Sequence, residues 1–319
     1  FAMTGDINTE EPQGNNQEST PESMQFNSAL IHWGAITGDK AIRDLGIYLY
    51  TTEQSAAEEY WFDTQRRTFQ PNYPYASTGR IWGSGYDAGT WWTQDVRAMY
   101  GIQLYPIHGG SFYLGRDTTY VRRLWNDMAA NTGILQNEVN PNLWHDVLWQ
   151  YLAFIDPARA IRLYDNFPNR GLKTGISDAQ TYYWLHGKNA LGALDGTVTA
   201  NSPLAAVFRK NGQKTYVGHN YGSTATTVTF SDGYVLNVPA RKTATSRDVT
   251  VSGTLAANAA EVVTGGSVTL TASVSGAGVT GVEFFDGPTS LGRVNAAPFT
   301  RVASRLPVGI HTFYAKVYA

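Results

Sequence analysis

The sequence predicts a multidomain chain: a mainly α-helical part, a small β unit that closes it, and an all-β module at the C-terminus. Three observations carry this expectation. From Pro21 to about Leu194 apolar residues return at three- and four-residue steps, as in Leu30, Trp33, Ile36 and in Val147, Leu148, Tyr151, Leu152, Ile155. Near Asp195 the period changes to alternation. After about Ser246 a second alternating stretch begins behind its own turn residues. The expected divisions are therefore 1–195, 196–246 and 247–319, and 319 residues suffice for more than one core.

The first helix is announced by Ser19-Thr20-Pro21-Glu22, a hydroxyl cap followed by a first-turn proline and an acid facing the positive end of the helix dipole. Asp156-Pro157 repeats the device further on and places two helices back to back. Repeated helical pairs of this kind build α/α barrels. Between about Asp63 and Gly115 the helical signal weakens, and Trp82, Tyr86, Trp91, Trp92 and Tyr100 crowd among glycines and prolines. Loops on a rigid scaffold commonly carry binding residues, and flat rings offer apolar faces to glucose. Trp82 and Trp92 are read evenly as sugar platform or core, and Trp91 as core.

In the β unit, the runs 205–208, 214–217, 226–230 and 234–238 are separated by the hairpin signals Asn211-Gly212 and Asp232-Gly233. In the last module, Val268, Leu270, Ala272 and Val274 alternate, as do Val282 and Phe284, then His311, Phe313, Ala315 and Val317.

Composition excludes several functions. Net charge is −2, and the pairs Arg66-Arg67 and Arg122-Arg123 are isolated, so no basic stripe exists to neutralise nucleic-acid phosphates. No apolar run approaches the roughly 20 residues of a membrane span. There is no cysteine, which excludes disulfides and thiolate chemistry. Histidines at 32, 108, 145, 186, 219 and 311 form no local His-x-x-x-His pair, and neither a metal nor a cofactor is expected. Charged residues make up 16%, against roughly 25% on average, while 19 Tyr and 9 Trp are present, a profile that fits a secreted carbohydrate-active protein.

Two enzyme motifs fail on inspection. Gly83-Ser84-Gly85-Tyr86-Asp87-Ala88-Gly89 misses the Gly-x-Gly-x-x-Gly spacing and lacks a bracketing strand–helix unit. His108-Gly109-Gly110-Ser111 faintly resembles an esterase oxyanion loop, but no Gly-x-Ser-x-Gly elbow accompanies it.

The most informative run is Gly14-Asn15-Asn16-Gln17-Glu18-Ser19-Thr20-Pro21-Glu22-Ser23. Two carboxylates four residues apart share a face if both are helical, and neighbouring like charges push one pKa upward. The amides at 15–17 suit the orientation of a carboxylate and a water. Two glutamates on adjacent turns are nevertheless too close to straddle a sugar, because an inverting glycosidase needs its acid and base roughly 6.5–9.5 Å apart. A third carboxylate is required, and Asp44, Asp87 and Asp95 are the internal candidates, each more often a solvated or capping residue.

This run, with Ala29-Leu30-Ile31-His32-Trp33-Gly34, the segment from Ile42 to Glu53, Ile81-Trp82-Gly83, Leu104-Tyr105-Pro106-Ile107, Gly109-Gly110-Ser111, Thr181–His186 and Asn189–Gly192, resembles glycoside hydrolase family 81, the endo-β-1,3-glucanases. The likeness extends to about residue 245. It implies an α/α-barrel catalytic domain of which this chain holds the C-terminal portion, acting with inversion on internal β-1,3-glucosidic bonds of glucans such as laminarin. Glu18 matches the base that activates water, and Glu22 the glutamate that assists it. Asn16, Gln17, His32, Trp82, Tyr86 and Trp92 are the expected substrate-binding residues. The family's general acid, an aspartate in an upstream segment rich in histidine and aromatics, has no counterpart here, so it is expected before Phe1 and the chain alone is expected to hydrolyse glucan poorly. A non-catalytic glucan-binding fragment is the alternative.

The segment Asp6–Gln13 is longer than the family pattern and is expected to form a loop before the site. The module after Ser246, with Val282–Gly287 and Gly309–Ala315, resembles bacterial immunoglobulin-like repeats. It is shorter than the roughly 100 residues of such a sandwich and is expected to act as a spacer. The partner expected is β-1,3-glucan, with no nucleic acid and no membrane, for a monomeric, secreted, extracellular bacterial protein.

Overall fold

The helical part begins with a tight hairpin whose closeness is set by two glycines. Helix α1 (Thr20–Thr37) is capped by Ser19 and ends at Gly38, which adopts φ 76°. Helix α2 (Lys40–Ala56) is capped by Asp39, whose carboxylate accepts the Ile42 N–H at 3.1 Å. A Cβ on Gly34 would lie 2.3 Å from the Arg43 nitrogen, and one on Gly46 would lie 2.7 Å from the Ile31 nitrogen. Backbone therefore meets backbone at both points, and only glycine fits. These are the glycines of the Trp33-Gly34 and Leu45-Gly46 motifs.

The computed structural model describes residues 19–82, 85–90, 92–137, 140, 143–172, 176–248, 251–276 and 279–318, the side chain of Trp82 excepted. After α2 comes a π-helical turn (Ala57–Trp61), then strands β1 (Arg80–Trp82) and β2 (Gly85–Asp87), which pair antiparallel. Helix α3 (Val96–Leu104) lies within the stretch where the sequence showed little helical period. Ala98, Met99, Tyr100, Gly101, Gln103 and Leu104 are all buried, so this helix has no polar face to generate an amphipathic pattern. A 3₁₀ turn (Gly109–Gly115) and helices α4 (Thr118–Thr132), α5 (His145–Leu152), α6 (Pro157–Asn166) and α7 (Asp178–Leu191) follow. Asp156 caps α6 ahead of its first-turn proline, as the sequence indicated.

These helices share one core that includes Met24, Met99, Tyr100, Leu104, Trp125, Trp149, Tyr151, Phe154 and Leu185. Phe208 joins the β unit to it, with its ring 5.6 Å from that of Phe112. Strands β3 (Ala193–Leu194), β4 (Ala205–Lys210), β5 (Gln213–Asn220) and β8 (Lys242–Thr245) form one antiparallel sheet in the order β3-β4-β5-β8, and β6 (Thr226–Thr229) pairs with β7 (Val235–Val238). Asn211 and Gly212 make the two-residue turn between Lys210 and Gln213, both at positive φ (50° and 80°). Val207, Tyr216, Val228, Phe230, Leu236 and Val238 fill the small core.

The chain divides into two compact units, Phe1–Ser246 and Arg247–Ala319. In the second, β9 (Ser252–Ala257), β10 (Ser267–Ser275) and β13 (Phe299–Ser304) form one sheet; β11 (Gly281–Asp286), β12 (Thr289–Val294) and β14 (Phe313–Tyr318) form another. Val268, Leu270 and Ala272 of β10 share a core with Val282 and Phe284 of β11, so the alternation seen in the sequence is the inward-facing set of two sheets. Among the described residues no helix is long and apolar enough to cross a membrane.

Candidate active site

Three helices of the first unit are tied at their starts to the loop that follows α3, Tyr105 to His108. Ser19 accepts the Glu22 N–H at 3.1 Å and donates its own hydroxyl proton to the Tyr105 carbonyl. Thr20, fully buried, shares a 2.6 Å hydrogen bond with the Tyr113 hydroxyl and donates to the Gln103 carbonyl at 3.3 Å. His108 Nδ1 accepts the Gly110 N–H at 2.9 Å, which leaves Nε2 to carry the proton and donate to the Pro21 carbonyl at 2.9 Å. Burial pushes the His108 pKa down, in keeping with a neutral ring in that tautomer. His108-Gly109-Gly110-Ser111 is thus a clamp on the first turn of α1, and its resemblance to an oxyanion loop is superficial.

The same loop holds α7 and meets α5. Gln180, in the first turn of α7, donates to the Ile107 carbonyl at 2.7 Å. The Tyr105 ring meets Trp144 edge to face at 6.1 Å. Trp144 caps α5 in the left-handed region (φ 59°, ψ 38°), and its indole lies over Gly101, where a Cβ would come within 1.9 Å of the ring. Asp146, in the first turn of α5, is fully buried.

Glu22 is exposed at this end of the molecule, on the first turn of α1. The Tyr105 hydroxyl pKa is raised by burial first, then by the negative charges of Glu22 and Asp146. Two carboxylates from different helices therefore act on one half-buried tyrosine. Behind them, Asn27 donates to Glu53 at 2.6 Å, a buried bond that locks α1 to α2.

Ser19 is extended (φ −138°, ψ 111°) and caps α1, so the helix starts at Thr20 and carries Glu22 in its first turn. His32 lies ten residues beyond Glu22 on α1, roughly 15 Å along the axis, where its Nδ1 is 3.2 Å from the Tyr221 hydroxyl. It borders a separate cavity of about 410 Å³ lined in part by Ser28, Tyr50, Phe112, Asp195 and Leu204.

Tyr86 is half-buried in an aromatic cluster, 4.6 Å from the Phe69 ring and 6.4 Å from that of Tyr73. Trp92 is 45% exposed. Asn16, Gln17, Glu18, Trp91, the loop 6–13 and the side chain of Trp82 lie outside the described residues. Asp44 pairs with Arg43 at 2.7 Å, Asp87 pairs with Arg80, and Asp95 caps α3 while holding Arg97 at 2.8 Å. Each internal aspartate considered as the acid is thus committed to an arginine. Sequence reasoning passed over Tyr105, Trp144 and Asp146 as neighbours of Glu22. The available signals were the Leu104–Ile107 motif and the density of ring and acid at 144–146.

Residues 7–185 match the glycosyl hydrolase family 81 C-terminal domain, and residues 250–315 match a bacterial Ig domain. A glucan endo-1,3-beta-D-glucosidase of Acetivibrio thermocellus is 42% identical over 227 residues, covering 70% of this chain and 28% of that protein. One of Thermobifida fusca, with the same name, is 36% identical over 233 residues, or 73% and 30%. A solved glycoside hydrolase family 81 structure from Clostridium thermocellum superposes with TM-score 0.68 at 39% identity, covering 74% of this chain and 32% of its own. The class defined by this fold and these matches is the glycoside hydrolases. Within it, the chain belongs to family 81 and spans under a third of the length of these relatives.

Proposed function

We propose that this chain is the C-terminal part of the catalytic domain of an inverting endo-β-1,3-glucanase. The reading is carried by the family match across the segment that contains Glu18, Glu22 and the loop bracing α1. Glu18 takes a proton from the attacking water, and Glu22 supports its charge state. A carboxylic acid from residues outside this chain protonates the leaving oxygen across the roughly 6.5–9.5 Å that inversion requires. Glycosidic cleavage needs both proton movements together, so neither glutamate suffices alone. Asn16, Gln17, His32, Trp82, Tyr86 and Trp92 line the glucan path.

The helices form the C-terminal portion of an α/α barrel over 1–195, the β unit over 196–246 closes it, and 247–319 is an immunoglobulin-like spacer. Relatives in bacteria and a bacterial Ig domain match favour an extracellular enzyme, which we read as a monomer.

One observation favours a second state for the chain by itself. Asp44, Asp87 and Asp95 are each paired with an arginine. The 319-residue chain should bind laminarin yet release almost no reducing sugar, while the full-length enzyme should release product whose first-formed anomer is α by proton NMR. Rapid hydrolysis by the chain alone would refute the missing acid, and a β anomer would refute inversion.

A further inference from the structure

Tyr105 stands where three elements meet. Its backbone carbonyl receives the Ser19 hydroxyl, its ring meets Trp144, and its hydroxyl feels the carboxylates of Glu22 and Asp146. The ring is only partly covered, so one tyrosine offers an apolar face and a hydroxyl donor beside Glu22. Asp146 differs from it in being fully buried. Its Oδ1 accepts the Val147 N–H at 3.1 Å, and it follows a tryptophan held at φ 59°. Strained backbone beside a buried carboxylate persists when the surroundings over-determine it, and such positions cluster at working sites.

We propose that Tyr105 contacts the glucan beside Glu22 and that Asp146 is its positioning residue, fixing the tyrosine through the start of α5. The proposal rests on the reading of this end of the helices as the glucan site. Trp144 links the two: its indole meets the Tyr105 ring at 6.1 Å, and its backbone leads into the first turn of α5, where Asp146 is buried. Other titratable groups on the elements packed here are His108 on the loop and His145 on α5; Arg97, on α3, is held by Asp95.

The test uses the full-length enzyme and a β-1,3-gluco-oligosaccharide, with kcat and KM measured for four variants. Tyr105→Ala should raise KM about tenfold, and Tyr105→Phe by less. Asp146→Asn should lower kcat about 10- to 100-fold with KM within twofold, as expected for a misplaced group. Asp146→Glu should restore most of kcat.

Wild-type kinetics in both Tyr105 variants, or an Asp146→Asn variant that loses only thermal stability, would overturn the proposal while leaving the glucanase reading intact. A wild-type enzyme that does not cleave the oligosaccharide would overturn the functional reading first. If Asp146→Asn fails to fold by circular dichroism, the Tyr105 pair and Asp146→Glu decide: unchanged KM in the former, or a folded variant with kcat still about 10- to 100-fold below wild type in the latter, counts against it.

Discussion

Lys188 shows at a single residue how the helical core and the β unit are joined. It is 3% exposed, and its ammonium lies 5.4, 5.2 and 5.1 Å from the rings of Phe112, Phe154 and Phe208. Burial lowers its pKa to about 8 from the ordinary lysine value, and the rings offset only part of the desolvation. A lysine whose folded pKa lies below its unfolded value binds fewer protons folded than unfolded, so stability rises as pH climbs through 8 toward 10.5. Lys188→Met should therefore stabilise the first unit by about 1–3 kcal/mol at pH 7. The gain in Tm should shrink above pH 8, and an unchanged or lower Tm at pH 7 would show that the aromatic cage outweighs desolvation.

Among the elements, the α1–α2 hairpin is the most unequal in its two faces. Met24, Asn27 and Gly34 are buried on one side of α1, whereas Phe26, Trp33 and Ile36 are 61, 59 and 55% exposed on the other, and α2 adds Leu45 and Tyr48 at 50 and 64%. Exposed apolar faces of this extent are a docking surface or a liability. In the proposed barrel the face is covered by helices outside this chain. The isolated chain should bind an apolar dye such as ANS, and the double change Phe26→Ser, Trp33→Ser should cut that signal at least threefold with helix content unchanged. Equal dye binding would place the apolar surface elsewhere.

Element by element, legibility followed the range of the interaction. The caps at Ser19, Asp156 and Asn211-Gly212 are local chemistry and could be read from four residues at a time. Helix α3 could not, because burial on every side erased its period. The clamp on α1 was hidden for another reason: Ser19 and Tyr105 are 86 positions apart, and no local pattern announces that bond. Within the candidate site, Glu22 was read from its motif, while the contacts of Tyr105 with Ser19 and Trp144 became visible only through packing.

For the first unit as a whole, three histidines set the response to acid. Burial lowers the pKa of His108, of His145 and of His32, with the His219 charge adding to the effect on His32 and the Arg170 charge to that on His145. A histidine with a depressed folded pKa contributes stability fully above its unfolded pKa of roughly 6.5, and that contribution fades as pH falls below it. Tm should hold between pH 7 and 8 and decline from about pH 6.5 downward, before carboxylates titrate. His108→Gln, which retains an N–H for the Pro21 carbonyl, should flatten that decline; an identical slope would move the sensitivity to another group.

The whole account turns on deprotonation of water by Glu18 beside a helix start held in place by the Tyr105–His108 loop. The most direct measurement is turnover of laminarin by full-length enzyme carrying Glu18→Gln, paired with oligosaccharide affinity by calorimetry. The account predicts a loss of at least about 10³-fold in kcat with affinity within threefold, since an amide keeps the shape and removes the base. Turnover within tenfold of the wild type would contradict it and place the base on another residue.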